Sequence, residues 1–89
     1  MQVIDNNKEF LDAVELVKTL KSCSNENKLE LYGMYKQAHF GDNLNAIPSI
    51  FYYTDRSKWN AWDSYRGKTS DEMKKEYILF VKNLKKNEN

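Results

Sequence analysis

This sequence predicts an all-α fold, a single bundle of four helices, and three observations predict it. Apolar residues recur at helical spacing in four separate stretches. Asn, Ser, Thr or Asp stands at the head of each. The one run suited to a strand, Ile50-Phe51-Tyr52-Tyr53, has no second strand to pair with. With 89 residues the chain is one domain, residues 1–89, with room for one core.

The first stretch places Phe10, Ala13, Val14, Val17 and Leu20 on one face, with Asp12, Glu15, Lys18 and Lys21 between them. It reads as an amphipathic helix over about residues 8–21, capped by Asn6 or Asn7, with Glu9 and Asp12 near the positive end of its dipole. Lys18 can snorkel toward an anion or stand as a solvated charge, and position alone favours the second. Ser22-Cys23-Ser24-Asn25 then makes a short polar link, with Ser24 or Asn25 as the next cap. So tight a link predicts that the first two helices are antiparallel neighbours. Cys23 has no partner in sequence to lower its pKa and reads as an ordinary thiol.

The second helix is expected over about residues 26–40 and carries two stripes. Leu31, Met34, Tyr35 and Ala38 suit a core; Leu29, Tyr32, Lys36 and His39 form a second face, which makes the apolar and aromatic arc too wide for one packing surface and suggests that this face lines a groove. Tyr32, Tyr35 and Lys36 stand three and four apart, so two phenols and an ammonium share one side. Such a set suits a ring and a phosphate held together, but taken alone it slightly favours a core edge with wet hydroxyls and a solvated Lys36. Gly41 is an αL stop and Pro48 blocks continuation. The loop that follows is long and apolar, with Leu44, Ile47, Ile50, Phe51, Tyr52 and Tyr53 available to pack across the bundle.

Thr54 or Asp55 is the expected cap of the third helix, which carries Lys58-Trp59-Asn60-Ala61-Trp62 and Tyr65 before Gly67. Trp59 and Trp62 are assigned to packing, and Lys58 is left on an adjacent face, free for a ligand. Thr69-Ser70-Asp71-Glu72 is a capping box that opens the fourth helix, where Met73, Tyr77, Phe80, Val81 and Leu84 recur at core spacing and Lys82, Lys85 and Lys86 complement the dipole. Residues 87–89 are expected to fray.

Composition excludes several function classes. The chain is 40% hydrophobic and 30% charged, which fits a folded, soluble protein, and 14 basic against 13 acidic residues give a net charge of +1. That balance lacks the basic excess of a nucleic-acid or membrane-surface protein, so any anion must be bound by local placement of charge. One Cys and one His exclude an internal disulfide and argue against a structural zinc site, so no metal and no cofactor are expected. Residues 1–7 lack a signal-peptide pattern and no run of ~18 apolar residues occurs, so a cytoplasmic, unanchored protein is expected. His39 has no Ser or Cys spaced to meet it, and the glycines are scattered rather than gathered in a phosphate loop; a binding module is favoured over an enzyme.

The residues that remain resemble a known family. Phe10 with Val17-Lys18 and Leu20-Lys21, Leu31-Tyr32-Gly33-Met34-Tyr35-Lys36-Gln37-Ala38 running to Gly41-Asp42, Pro48, Lys58-Trp59-Asn60-Ala61-Trp62, and Tyr77-Ile78 are together similar to the acyl-CoA-binding proteins over nearly the whole chain. The resemblance implies an up-down-down-up four-helix bundle that binds long-chain acyl-CoA thioesters without altering them and serves as an intracellular carrier and pool former, with acyl-CoA-using enzymes as possible partners. By position, it implies Tyr32 as the stacking partner of the adenine ring. It likewise implies Tyr35, Lys36 and Lys58 as contacts of the 3′-phosphate, Tyr77 as a further contact near the nucleotide and acyl chain, and Lys18 as a basic residue of the first helix. Ile47, Ser49 and Lys28 depart from the family pattern, which commonly has Arg, Gly and an apolar residue there. The rival reading is a helical interaction module whose Tyr32 and Tyr35 face and apolar loop receive an amphipathic helix; a thioesterase using His39 ranks third. A monomer is the default.

Overall fold

The computed structural model describes residues 6–88. Four helices occupy them, α1 (Asn6–Val17), α2 (Asn25–Phe40), α3 (Tyr53–Asp63) and α4 (Ser70–Lys86), with no strand among the described residues. Two starts are fixed by side-chain caps: the Ser24 hydroxyl accepts from the Asn27 N–H at 3.1 Å and the Thr69 hydroxyl accepts from the Glu72 N–H at 3.1 Å. The cap expected at Asn6 or Asn7 falls inside α1, and the residue before α1 lies outside the described residues. Helix α3 begins earlier than Thr54 or Asp55. Its cap is Tyr52, which lacks a side-chain hydrogen bond, and the Tyr52 carbonyl instead accepts from the Arg56 N–H at 2.8 Å. Helix α1 ends at Val17, and residues 18–20 close tighter turns back onto Glu15, Leu16 and Val17.

Contacts between helix ends give the topology. Asn7 meets Lys74 at the heads of α1 and α4, and Lys85 donates to the Thr19 carbonyl at their tails, so the two run parallel. The Ser70 hydroxyl donates to the Ala38 carbonyl at 2.6 Å, joining the head of α4 to the tail of α2, so these are antiparallel. Helices α2 and α3 run parallel, their heads bordering one hollow and their tails bringing Phe40 and Trp62 to a ring separation of 6.1 Å. The order is up-down-down-up. Contrary to the expectation from the short link, α1 packs on α4 rather than α2. Phe10 does reach across to stack on Tyr35 at 5.9 Å. The link fails to make neighbours because α4 offers the better apolar seat, with Met73 and Val81 fully buried. The expected fraying also gives way at Glu88, whose carboxylate accepts from the Lys21 N–H at 2.7 Å and pairs with Lys85 at 3.0 Å, while Asn89 lies outside the described residues.

The core draws Phe10 and Ala13 from α1, Leu31, Met34 and Ala38 from α2, and Met73, Tyr77, Ile78 and Val81 from α4. Helix α3 adds none of these. It attaches to α2 by close approach, since a Cβ at Gly33 would lie 2.4 Å from the Ala61 carbonyl oxygen. The expectation that the α2–α3 loop packs across the bundle is overturned. Leu44 is 89% and Phe51 80% exposed, because the loop turns its polar groups inward instead.

Candidate functional site

Close contact at Gly33 sets Tyr32, on the preceding position of α2, against Lys58 on α3. The Lys58 Nζ sits 5.5 Å from the centre of the Tyr32 ring, and the Lys36 Nζ sits 5.6 Å from the same ring. Lys36 is further cradled by Phe40 at 4.7 Å and Trp62 at 5.6 Å. Among the described residues neither Lys36 nor Lys58 has a carboxylate within ion-pair distance. Ring faces favour a cation but do not neutralise it. Two ammonium groups from different helices thus share one aromatic plate and keep their donors for an anion.

The floor beside this plate is held by hydrogen bonds. The Trp62 indole N–H donates to the Gly41 carbonyl at 2.8 Å and the Trp59 indole N–H to the Asn45 carbonyl at 2.8 Å. Asn43, only 2% exposed, donates to the Trp59 carbonyl at 3.3 Å and accepts from the Asn45 N–H at 2.9 Å. Gln37 closes the tail of α2: its amide donates to Asp42 at 2.8 Å and to the Lys68 carbonyl at 2.9 Å. Asp42 also accepts from the Gly67 N–H at 2.8 Å, and these two hydrogen bonds, the backbone one first, hold its carboxyl below the usual range. Gly41 has φ 80 and ψ −153, a conformation outside the αL region that was expected but equally reserved for glycine.

Two hollows open on either side of Lys58. One, ≈ 250 Å³, is bordered by Tyr32, Asn43, Asn45, Asp55 and Trp59, a polar and aromatic lining. The other, ≈ 340 Å³, is bordered by Leu29, Tyr53, the Lys28 side chain and Ser57. A ligand with a polar ring at one end and an apolar part at the other finds both environments side by side.

Of the residues singled out from sequence, Tyr32, Lys36 and Lys58 converge directly. Tyr35 and Tyr77 form a second group around Phe10, with Tyr35 stacked on His39 at 5.6 Å and Tyr77 edge-on to Phe10 at 5.1 Å. Tyr77 is 4% exposed, and burial, then the neighbouring Tyr35, pushes its phenol up to about 12. Lys18 pairs with Glu15 at 3.1 Å in the exposed turn after α1, as a solvated charge would. Sequence reasoning missed Phe40 and Asp55 beside the site, although their i+4 spacing from Lys36 and i−3 spacing from Lys58 are legible, and missed Asn45, whose place beside Lys58 follows from tertiary contact.

Comparison with known proteins finds relatives over most of the chain. The family model described as acyl-CoA-binding protein matches residues 7–81. Acyl-CoA-binding domain-containing protein 1 of Oryza sativa subsp. japonica is 51% identical over 77 residues, covering 85% of each chain. The acyl-CoA-binding protein of Ricinus communis is 44% identical over 77 residues, covering 85% of this chain and 86% of its own. The crystal structure of Oryza sativa acyl-CoA-binding protein 2 superposes with a TM-score of 0.88 at 44% identity, over 91% of this chain and 89% of that one.

Proposed function

This chain belongs to the acyl-CoA-binding protein family, whose members are binding proteins and not enzymes, and from that premise we propose that it binds long-chain acyl-CoA in the seam between α2 and α3. The observation that carries the reading is the pair of lysines on one ring: Lys36 and Lys58 flank Tyr32, each without a carboxylate partner among the described residues. Tyr32 stacks on adenine and Lys36 and Lys58 hold the 3′-phosphate, while Tyr35, the further phosphate contact that the resemblance implies, is stacked on Phe10 and His39 outside this cluster. The hollow bordered by Leu29 and Tyr53 takes the start of the acyl tail. Tyr77 acts chiefly through Tyr35 and Phe10, and Lys18, the basic residue that the resemblance implies on the first helix, would have to leave Glu15 to meet an anion. The protein works as a monomeric cytoplasmic carrier that leaves the thioester intact and hands it to acyl-CoA-using enzymes; no helix among the described residues is long and apolar enough to cross a membrane.

Calorimetric titration with acyl-CoAs of increasing length tests this. Affinity is expected to climb by up to roughly 0.8 kcal/mol for each methylene removed from water until the tail outruns the groove, and a flat dependence rejects the tail assignment. Lys36→Ala is expected to weaken palmitoyl-CoA binding by about 1.5 to 3 kcal/mol. Removing the 3′-phosphate from the ligand should cost more, since it also breaks the Lys58 contact, and the two losses should not sum, because the Lys36 contact is counted in both. Full additivity contradicts the phosphate assignment.

A further inference from the structure

The loop between α2 and α3 is built inside out, and neither the lysine pair nor the two hollows accounts for it. Residues 43–54 carry no charged side chain in a chain that is 30% charged. Their polar groups are spent inward: Asn43 is buried, the Asn45 carbonyl receives the Trp59 indole, and the Pro48 carbonyl receives Arg56 at 3.2 Å. Their apolar side chains stand in solvent, with Ile50 61%, Phe51 80%, Tyr52 64% and Tyr53 78% exposed. So continuous an apolar surface is unusual on a soluble chain and marks a contact site.

The tip is a tight turn. The Tyr52 N–H donates to the Ser49 carbonyl at 3.0 Å, and the Phe51 N–H to the Ser49 hydroxyl at 3.3 Å. Ile50 and Phe51 therefore occupy the two corners. The amides of Phe51 and Tyr52 are already satisfied, and Pro48 has none to satisfy. With these two donors satisfied, bringing the turn to an apolar boundary costs less, and the Ile50 amide and the corner carbonyls can be met there by water or headgroup oxygens. Tyr52 and Tyr53 flank the turn with rings that are apolar in body and polar at the tip, the amphipathic type that settles at a headgroup boundary. Tyr53 also borders the hollow that opens beside Lys58, so the exposed tip and the proposed tail shelter are continuous.

We propose that this turn is a membrane-contact tip, in which Ile50 and Phe51 dip into the outer layer of a phospholipid bilayer while Tyr52 and Tyr53 lie at its headgroups. The contact is peripheral and reversible, and it rests on the acyl-CoA reading only for its purpose, which is to bring the mouth of the groove against the surface where an acyl tail is soluble. A protein groove fits the loop less well, since protein interfaces surround an apolar centre with a polar rim that sets register, and this stretch supplies no charge for one.

Co-sedimentation of the full chain with phosphatidylcholine vesicles tests the proposal. The wild type is expected to partition onto them, and raising the salt concentration should not release it, because the attraction is apolar. Ile50→Ser combined with Phe51→Ser should lower partitioning about tenfold. Leu79→Ser, the same kind of change at an exposed α4 position, should leave it unaltered. A wild type that stays in the supernatant overturns the proposal, as does a double variant that partitions like the wild type. Self-association or capture by a partner protein that the double variant abolishes, without vesicle binding, equally overturns it in favour of a protein contact. Titration of the same samples with palmitoyl-CoA separates the two readings. Intact ligand binding with no vesicle partitioning rejects the tip alone, whereas partitioning without ligand binding rejects the carrier function and leaves the tip standing.

Discussion

Helices α1, α2 and α4 meet in a continuous apolar core, whereas α3 meets α2 at one close backbone approach and two lysines over a ring, and is tied to the loop after α2 by two indole hydrogen bonds. The first region is stable without any ligand, since its side chains leave water and meet each other. The second leaves two positive charges over one ring, neither of them within ion-pair distance of a carboxylate among the described residues. Like charges brought together oppose association unless an anion joins them. A core that folds the chain beside a seam that an anion would complete is a division of labour that suits the proposed site on the less apolar side.

The sharpest break of this contrast is Met73→Ala. Met73 is fully buried in the core, so its truncation should cost about 2 to 5 kcal/mol in chemical unfolding. Palmitoyl-CoA affinity of the molecules that remain folded should hardly change. If affinity falls as steeply as stability, core and seam are not separable.

Gly33→Ala tests the seam directly. The added methyl meets the Ala61 carbonyl at 2.4 Å, which is backbone and gives way only if α3 moves. A loss of about 1 to 3 kcal/mol in stability is expected, together with weakened ligand binding, since Lys58 retreats from Tyr32. Unchanged affinity in this variant would mean that the spacing of the lysines does not matter.

The smallest effect separates the regions by pH. Asp42 pins the tail of α2 to the turn before α4, and its folded pKa is lowered. Its contribution is therefore present above the unfolded carboxylate value of about 3.9 and is lost as pH falls through the lower folded value. Tyr77 lies in the core with its pKa pushed up to about 12, so its contribution is full below the unfolded value of about 10 and declines as pH rises through the folded one. Tyr65, raised by burial and by its hydrogen bond to Glu30, adds to the alkaline side in the same direction. Asp42→Asn should flatten the acid limb of a stability profile, and Tyr77→Phe should flatten the alkaline limb. If each variant instead changes the opposite limb, the assignment of pins and core is reversed.

Particular elements show how far the chain could be read in advance. The α4 stripe of Met73, Tyr77 and Val81, the caps at Ser24 and Thr69, and the shared face of Tyr32 and Lys36 were all legible, because helical periodicity and capping depend on residues within a few positions of each other, whereas His39, expected on that face, stacks on Tyr35. The start of α3 was not, since the turn at Ser49 rather than a capping side chain sets it.

Sequence by itself determined four helices, a core stripe on each of α1, α2 and α4, and a set of aromatic and basic residues suited to an anionic ring. Only the tertiary structure decided that α4 stands between α1 and α2, that Glu88 is tied back to Lys21, and that the apolar loop faces water instead of the bundle. Both outcomes have one physical reason. Local pattern fixes which face of a segment is apolar, but what that face meets depends on which distant surface fits it best, and here Asn43, Trp59 and Arg56 claimed the inner side of the loop with hydrogen bonds that its apolar residues cannot make.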